Sequence, residues 1–211
     1  MNKGLLRLLL LAGLLLGLVL IPYVLFGAAL EDWSAQLMTG GKAATAAAGI
    51  ALLALDIVLP IPSSLVATAM GALLGAPLGA LVNAVGLTLG CALGFLLGRG
   101  GSPLARRLLG APLQAAFTDW IERYGLAALI LCRAVPVLAE ASVLALGAGK
   151  ARPWPVLGAA FAADLCLGAA YAFAGAQHPS SGFVAAILFP VAAAAAVWLI
   201  LRRRPLPESR G

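Results

Sequence analysis

The stretch from Ala43 to Gly75 is mostly apolar with a single charge, Asp56, and its length fits no ordinary membrane crossing. As one continuous helix its 33 residues would measure about 50 Å, against a hydrocarbon core of about 30 Å. That is too long for one passage and too short for two passages and a turn. The interruption sits at Asp56-Ile-Val-Leu-Pro60-Ile-Pro62-Ser-Ser64. A second apolar stretch, Tyr124 to Gly149, is interrupted at Arg133-Ala-Val-Pro136-Val-Leu-Ala-Glu140. Proline has no backbone N–H and disfavours helix in the residue before it, so Pro60, Pro62 and Pro136 each break a helix. The resulting arms, roughly 12–17 residues each, reach only part-way across, which is the geometry of a re-entrant hairpin.

The rest of the chain is composed for the same solvent. Of 211 residues, 63% are apolar and 10% charged, against about 45–50% and 25% in soluble domains. A water-soluble globular domain is excluded, and the mean hydropathy of +1.04 agrees. Full-length spans are expected at about Leu8–Leu30, Leu78–Gly98, Pro155–Ala176 and Phe183–Leu201. The first of these exceeds the roughly 7–15 apolar residues of a signal peptide, so it reads as a retained helix. Trp33, in the polar stretch from Glu31 to Lys42, reads as an interfacial anchor.

Basic residues set the topology. With both broken stretches re-entrant, 12 Lys and Arg of the ends and loops fall inside and Lys42 alone falls outside. With each stretch a straight crossing, the Arg99–Arg123 loop moves outside and the split becomes 8 to 5. The positive-inside rule favours the first arrangement. The expected fold is therefore an all-α polytopic membrane protein: four full transmembrane helices plus two opposed re-entrant hairpins, with both termini cytoplasmic. Residues 1–42 hold the first helix and an outer loop. Residues 43–176 form the central domain: hairpin 43–75, span 78–98, inner amphipathic loop 99–123, hairpin 124–149 and span 155–176. Residues 177–211 hold the last helix and a basic tail that includes Arg202, Arg203 and Arg204.

The net charge of +6 does not point to nucleic acid, because the cations lie in short loops and at the ends. Cys91, Cys132 and Cys166 stand at unrelated spacings and His178 is the only histidine, so no metal site, disulfide or cofactor is expected.

The two broken stretches match each other at an offset of 76 residues: Pro60 with Pro136, Gly71 with Gly147, Pro77 with Pro153. Since the topology puts one hairpin outside and the other inside, the repeat is inverted. Inverted repeats with discontinuous helices are how many secondary transporters build a site reachable from both sides.

Four charges fall at membrane depth, Asp56, Arg133, Glu140 and Asp164. At a helix centre each costs about 2.5–3.5 kcal/mol, so they face protein or water. Arg133 has the fixed charge and planar fork suited to a phosphate headgroup. Asp56, Glu140 and Asp164 are candidates for proton coupling or for a charge network that only holds the tips together. Ser63 and Ser64 open a half-helix and offer hydroxyls and amides either to an anion or as a helix cap. Asn83 and Thr88 read as interhelical hydrogen-bond partners, with Thr88 at the position that aligns with Asp164. Gly86, Gly90, Gly94 and Gly98, and likewise Gly71, Gly75 and Gly79, recur every four residues. Such ridges let helices approach closely, within the chain or at a homodimer face.

At these residues the sequence resembles the DedA family, whose shared region is also called the VTT or SNARE-associated domain. The resemblance covers roughly Ala43 to Ala176. It is carried by Asp56-x3-Pro-Ile-Pro-Ser-Ser, Gly71-x3-Gly75-x3-Gly79, Gly98-Arg99, and Arg133-x2-Pro136-x3-Glu140 followed by Gly147. It implies two opposed re-entrant hairpins and movement of phospholipid or polyprenyl-phosphate carrier lipid in a bacterial inner membrane, with proton coupling proposed for bacterial members. Two positions depart from the family pattern. Ala139 stands where many members have the second of two arginines, and Ser64 where an acid usually follows the first proline. The alternatives are a proton-coupled small-solute transporter and a membrane assembly protein. An enzyme is disfavoured, since no GxSxG, HExxH or paired-histidine motif is present, and no catalytic residue is assigned.

Overall fold

The computed structural model describes residues 40–59, 61–101, 126–133, 136–149 and 151–177. The expected first helix, Pro60, all but the start of the amphipathic loop, and the last span with its basic tail lie outside the described residues.

The described residues form six helices: α1 Gly41–Leu55, α2 Ser63–Leu74, α3 Ala76–Arg99, α4 Leu126–Arg133, α5 Pro136–Ala148 and α6 Pro153–Gln177. Both interrupted stretches are thus pairs of short helices. After α1 the amides of Val58 and Leu59 fold back onto the Leu55 carbonyl, at 2.9 Å each. Pro62 then offers a carbonyl and no N–H, so α2 starts with Leu65 and Val66 donating to Pro62 O. Pro136 occupies the first position of α5, where a missing N–H breaks nothing. At 15 residues α1 is about 22 Å long, short of a bilayer core.

α3 and α6, of 24 and 25 residues, are long and apolar enough to span. Both begin slightly before the sequence-based boundaries because Pro77, Pro153 and Pro155 sit in first turns, which tolerate proline. Large apolar side chains point outward along each, Leu81, Leu89, Leu93 and Leu96 on α3, and Trp154, Phe161, Leu165 and Phe173 on α6. Water would exclude such stripes; lipid solvates them.

The two long helices run antiparallel. Asn83 meets Gly168, Thr88 meets Asp164, and Cys91 and Phe95 share a buried cluster with Ala160 and Val156. The short helices are arranged around this pair with approximate two-fold symmetry. α1 packs on α3 as α4 packs on α6, while α2 crosses to α6 and α5 crosses to α3. Each unit therefore lends its second short helix to the other.

The crossings are glycine contacts. A Cβ on Gly71 would fall on the Ala172 carbonyl and one on Gly175 on the Thr68 carbonyl. In the second unit the counterparts are Gly147 on Phe95 O and Gly98 on Leu144 O. Along α3 the ridge changes partner midway: Gly86 and Gly90 receive α1 at Leu53 and Ala54, and Gly94 and Gly98 receive α5 at Val143 and Leu144. Small residues at the contact replace the hydrophobic drive that lipid does not supply.

The units differ at their linkers. A single residue, Gly75, joins α2 to α3 with φ 83° and ψ 161°, a conformation nearly confined to glycine. That tight turn lays α2 on α3, where a Cβ on Gly79 would come within 2.8 Å of Met70 O. Asn83 strengthens the contact, its Nδ2 donating to Ala67 O at 2.9 Å and to Gly168 O at 3.1 Å. In the second unit four residues, 149–152, join α5 to α6, and Arg99 holds them by donating from Nη2 to Ala151 O at 2.7 Å. Gly75→Ala should cost about 1–3 kcal/mol through backbone strain. Thermal unfolding in detergent should show the loss, with Gly158→Ala, whose Cβ meets open space, unchanged.

Candidate functional site

Arg133 is the last residue of α4, and its side chain reaches Asp164 on α6 and the Leu87 carbonyl on α3. Its Nε donates to Asp164 Oδ1 at 2.8 Å, and Nη2 lies 2.6 Å from the same oxygen. Nη2 also donates to the Leu87 carbonyl at 3.3 Å. Thr88 Oγ1 donates to the other carboxylate oxygen, Oδ2, at 3.1 Å. Asp164 is wholly buried and the Arg133 side chain is 9% exposed. Buried charges persist only when paired and hydrogen-bonded, and Asp164 meets both conditions.

Thr88 and Asp164 are 76 residues apart, the offset of the repeat itself. Two residues related by the pseudo-two-fold axis touch only where they lie beside it, so the ion pair marks that axis. The site stands where the two units meet.

Two more carboxylates come near. Asp56, in the turn after α1, interacts with the Ser63 side chain at the start of α2 and feels the charge of Arg133. Glu140, in the first turns of α5, feels both Asp56 and Arg133. Both are half-buried, and neither forms an ion pair with Arg133 among the described residues. One guanidinium therefore serves three carboxylates, and Asp164 holds it.

The turn after α1, the start of α2, the end of α4 and the first turns of α5 thus converge with α6, bringing together Asp56, Ser63, Arg133, Glu140 and Asp164. Ser64 contributes its carbonyl to the Thr68 hydroxyl at 2.8 Å, inside α2. The N-cap position of α2 is Pro62, with no side-chain cap, so Ser63 and Ser64 occupy the first turn and do not cap the helix. Pro62 and Pro136 border the breaks, and Pro60 is outside the described residues. Asn83 and Thr88 are interhelical partners, as their isolation on an apolar helix implies. One participant carries no sequence signal, the Leu87 carbonyl, because every residue has one. Thr88 was marked by its alignment with Asp164, and the two prove to face each other.

Arg133 was expected to offer a fork to an anion. Its Nε and Nη2 edge is occupied by Asp164 and Leu87, while Nη1 makes no hydrogen bond among the described residues. Among the described residues a donor thus remains unused, on the other nitrogen.

The model of one protein family, the VTT domain, matches residues 61–177. The match begins at the residue before Pro62 and runs to the end of α6, so it includes Ser63, Thr88, Arg133, Glu140 and Asp164 and omits α1 and Asp56. No curated protein and no solved structure matches the chain.

Proposed function

The chain belongs to the VTT domain family of membrane proteins, and on that premise we propose that it carries a phosphate-bearing lipid, phospholipid or polyprenyl phosphate, across a bacterial inner membrane. The observation that carries this reading is the placement of a buried Arg133–Asp164 pair at the axis between two units, beside two carboxylates that form no ion pair among the described residues. A site on the axis is equally related to both halves, which is what an inverted repeat needs for access from either side. Arg133 supplies the cation for the headgroup, and Ser63 flanks it. In this reading α1–α2 and α4–α5 are the two opposed re-entrant hairpins, α3 and α6 are two of four full spans, and both termini are cytoplasmic.

Asp56 and Glu140 are the proton carriers of the proposal, since a carboxylate not held by a cation can change protonation as the site changes access. The protein acts as a carrier and not an enzyme.

The test is movement of labelled phosphatidylglycerol and of polyprenyl phosphate in proteoliposomes, with and without a pH gradient. Arg133→Ala should reduce movement at least tenfold in folded protein. Glu140→Gln and Asp56→Asn should leave exchange without a gradient but remove its acceleration by one. If the well-folded native protein moves neither lipid, the lipid reading fails.

A further inference from the structure

The guanidinium has five N–H donors in a rigid plane, so whatever holds one edge decides which edge remains. Asp164 receives Nε and Nη2 through Oδ1 alone. Its second oxygen is oriented by the Thr88 hydroxyl, at 3.1 Å. The Leu87 carbonyl, adjacent to Thr88 on α3, takes a further donation from Nη2. Without Thr88, Oδ2 would be a buried acceptor with no donor, and the carboxylate would rotate to engage Arg133 with both oxygens, the fork arrangement that such pairs favour. The hydroxyl thus decides how Asp164 grips the arginine.

We propose that Thr88 is a positioning residue of the anion site: by holding Asp164 Oδ2 it fixes the rotation of the carboxylate, and through Oδ1 the plane of the Arg133 guanidinium, so that Nη1 is aimed to receive an oxyanion end-on. The substrate anion is then recognised through the Nη1 hydrogens and not through a bidentate fork. Thr88 touches no substrate in this arrangement; it acts through Asp164. This rests on the lipid-carrier reading for the identity of the anion but not for the geometry.

The test separates the two. In detergent-purified protein labelled with 15N-arginine, the Arg133 Nε–H resonance, assigned by its loss in Arg133→Lys, should exchange slowly with solvent because it is buried against Asp164. Thr88→Val, which keeps the shape and removes the hydroxyl, should shift that resonance and speed its exchange at least tenfold. Thr88→Ser should restore both. In proteoliposomes Thr88→Val should raise the half-saturating mole fraction of labelled phosphatidylglycerol severalfold while the maximal rate changes less than twofold, and Thr88→Ser should behave as native. An unchanged resonance in folded Thr88→Val overturns the proposal, as does a shifted resonance that Thr88→Ser fails to restore. If Thr88→Val does not fold, Thr88→Ala removes the same hydroxyl with less bulk and is read the same way. Native protein that shows the slow resonance and its dependence on Thr88 but moves no lipid overturns the carrier reading and leaves the positioning role standing.

Discussion

Asp164→Ala should destabilise the protein by about 3–5 kcal/mol, because it leaves the Arg133 guanidinium, 9% exposed, without its counter-ion. The asymmetry between breaking a buried pair and replacing it decides the size of the effect. Removing one partner strands a charge in a medium of low dielectric, whereas removing both strands none. Arg133→Met combined with Asp164→Leu should therefore recover most of the lost stability, as read by thermal unfolding in detergent. The same double variant should move no lipid, since it restores packing without the cation. If the single and double variants unfold together, the pair is not what makes Asp164 matter. If the double variant still transports, Arg133 is not the anion partner.

Gly147→Ala and Gly98→Ala should be among the most damaging of the small substitutions. At both positions the added carbon would lie against a backbone carbonyl of the facing helix, Phe95 O for Gly147 and Leu144 O for Gly98. A side chain in the way can change rotamer; a helical carbonyl can yield only if the helix moves. Overpacking typically costs about 1–3 kcal/mol and occasionally more, and rigid neighbours place these positions at the upper end. The measurement is the midpoint temperature at which detergent-solubilised protein loses its monodisperse peak in gel filtration. Gly71→Ala and Gly175→Ala should lose as much, because they make the equivalent crossing of α2 on α6. Tolerance at all four would mean that the helices cross at a greater distance than the structure gives.

The helix breaks were legible because proline changes the backbone's own hydrogen bonding, which depends little on what surrounds it. The interruptions around Pro62 and Pro136 fall where the sequence puts them. Helix starts were less legible: the spans were placed from Leu78 and Pro155, whereas the helices start at Ala76 and Pro153, with Pro77 and Pro153 in their first turns. The repeat was visible at one offset, 76, yet the crossing glycines of the long helices, Gly98 and Gly175, stand one residue further apart. The extra residue falls after Thr88 and Asp164, which still keep the offset of 76, and so lies within the second half of α6. In the site, the four charges marked themselves by being expensive at that depth. Which carboxylate would hold Arg133 was not legible, because a charge count carries no direction. Glu140 is nearer to Arg133 in sequence, but Asp164 lies on the long helix that α4 packs against, and burial there leaves it no alternative partner. The coarser inferences stand: the described residues are helical with two long apolar helices, as composition implied, and the VTT domain family was read from a resemblance in the proline-centred motifs. The spans outside the described residues were assigned from the length of their apolar runs, and their orientation from charge placement.

The contact of Thr88 with Asp164 also bears on how such a molecule could arise. Two identical polypeptides assembled about a dyad would set the same side chain against itself there. A pair of aspartates would repel across the dyad, and a pair of threonines would offer Arg133 no counter-ion. An acid opposite a hydroxyl requires halves that have become unlike, and a single polypeptide that encodes both halves in tandem is free to let them diverge at this position while their crossings stay alike.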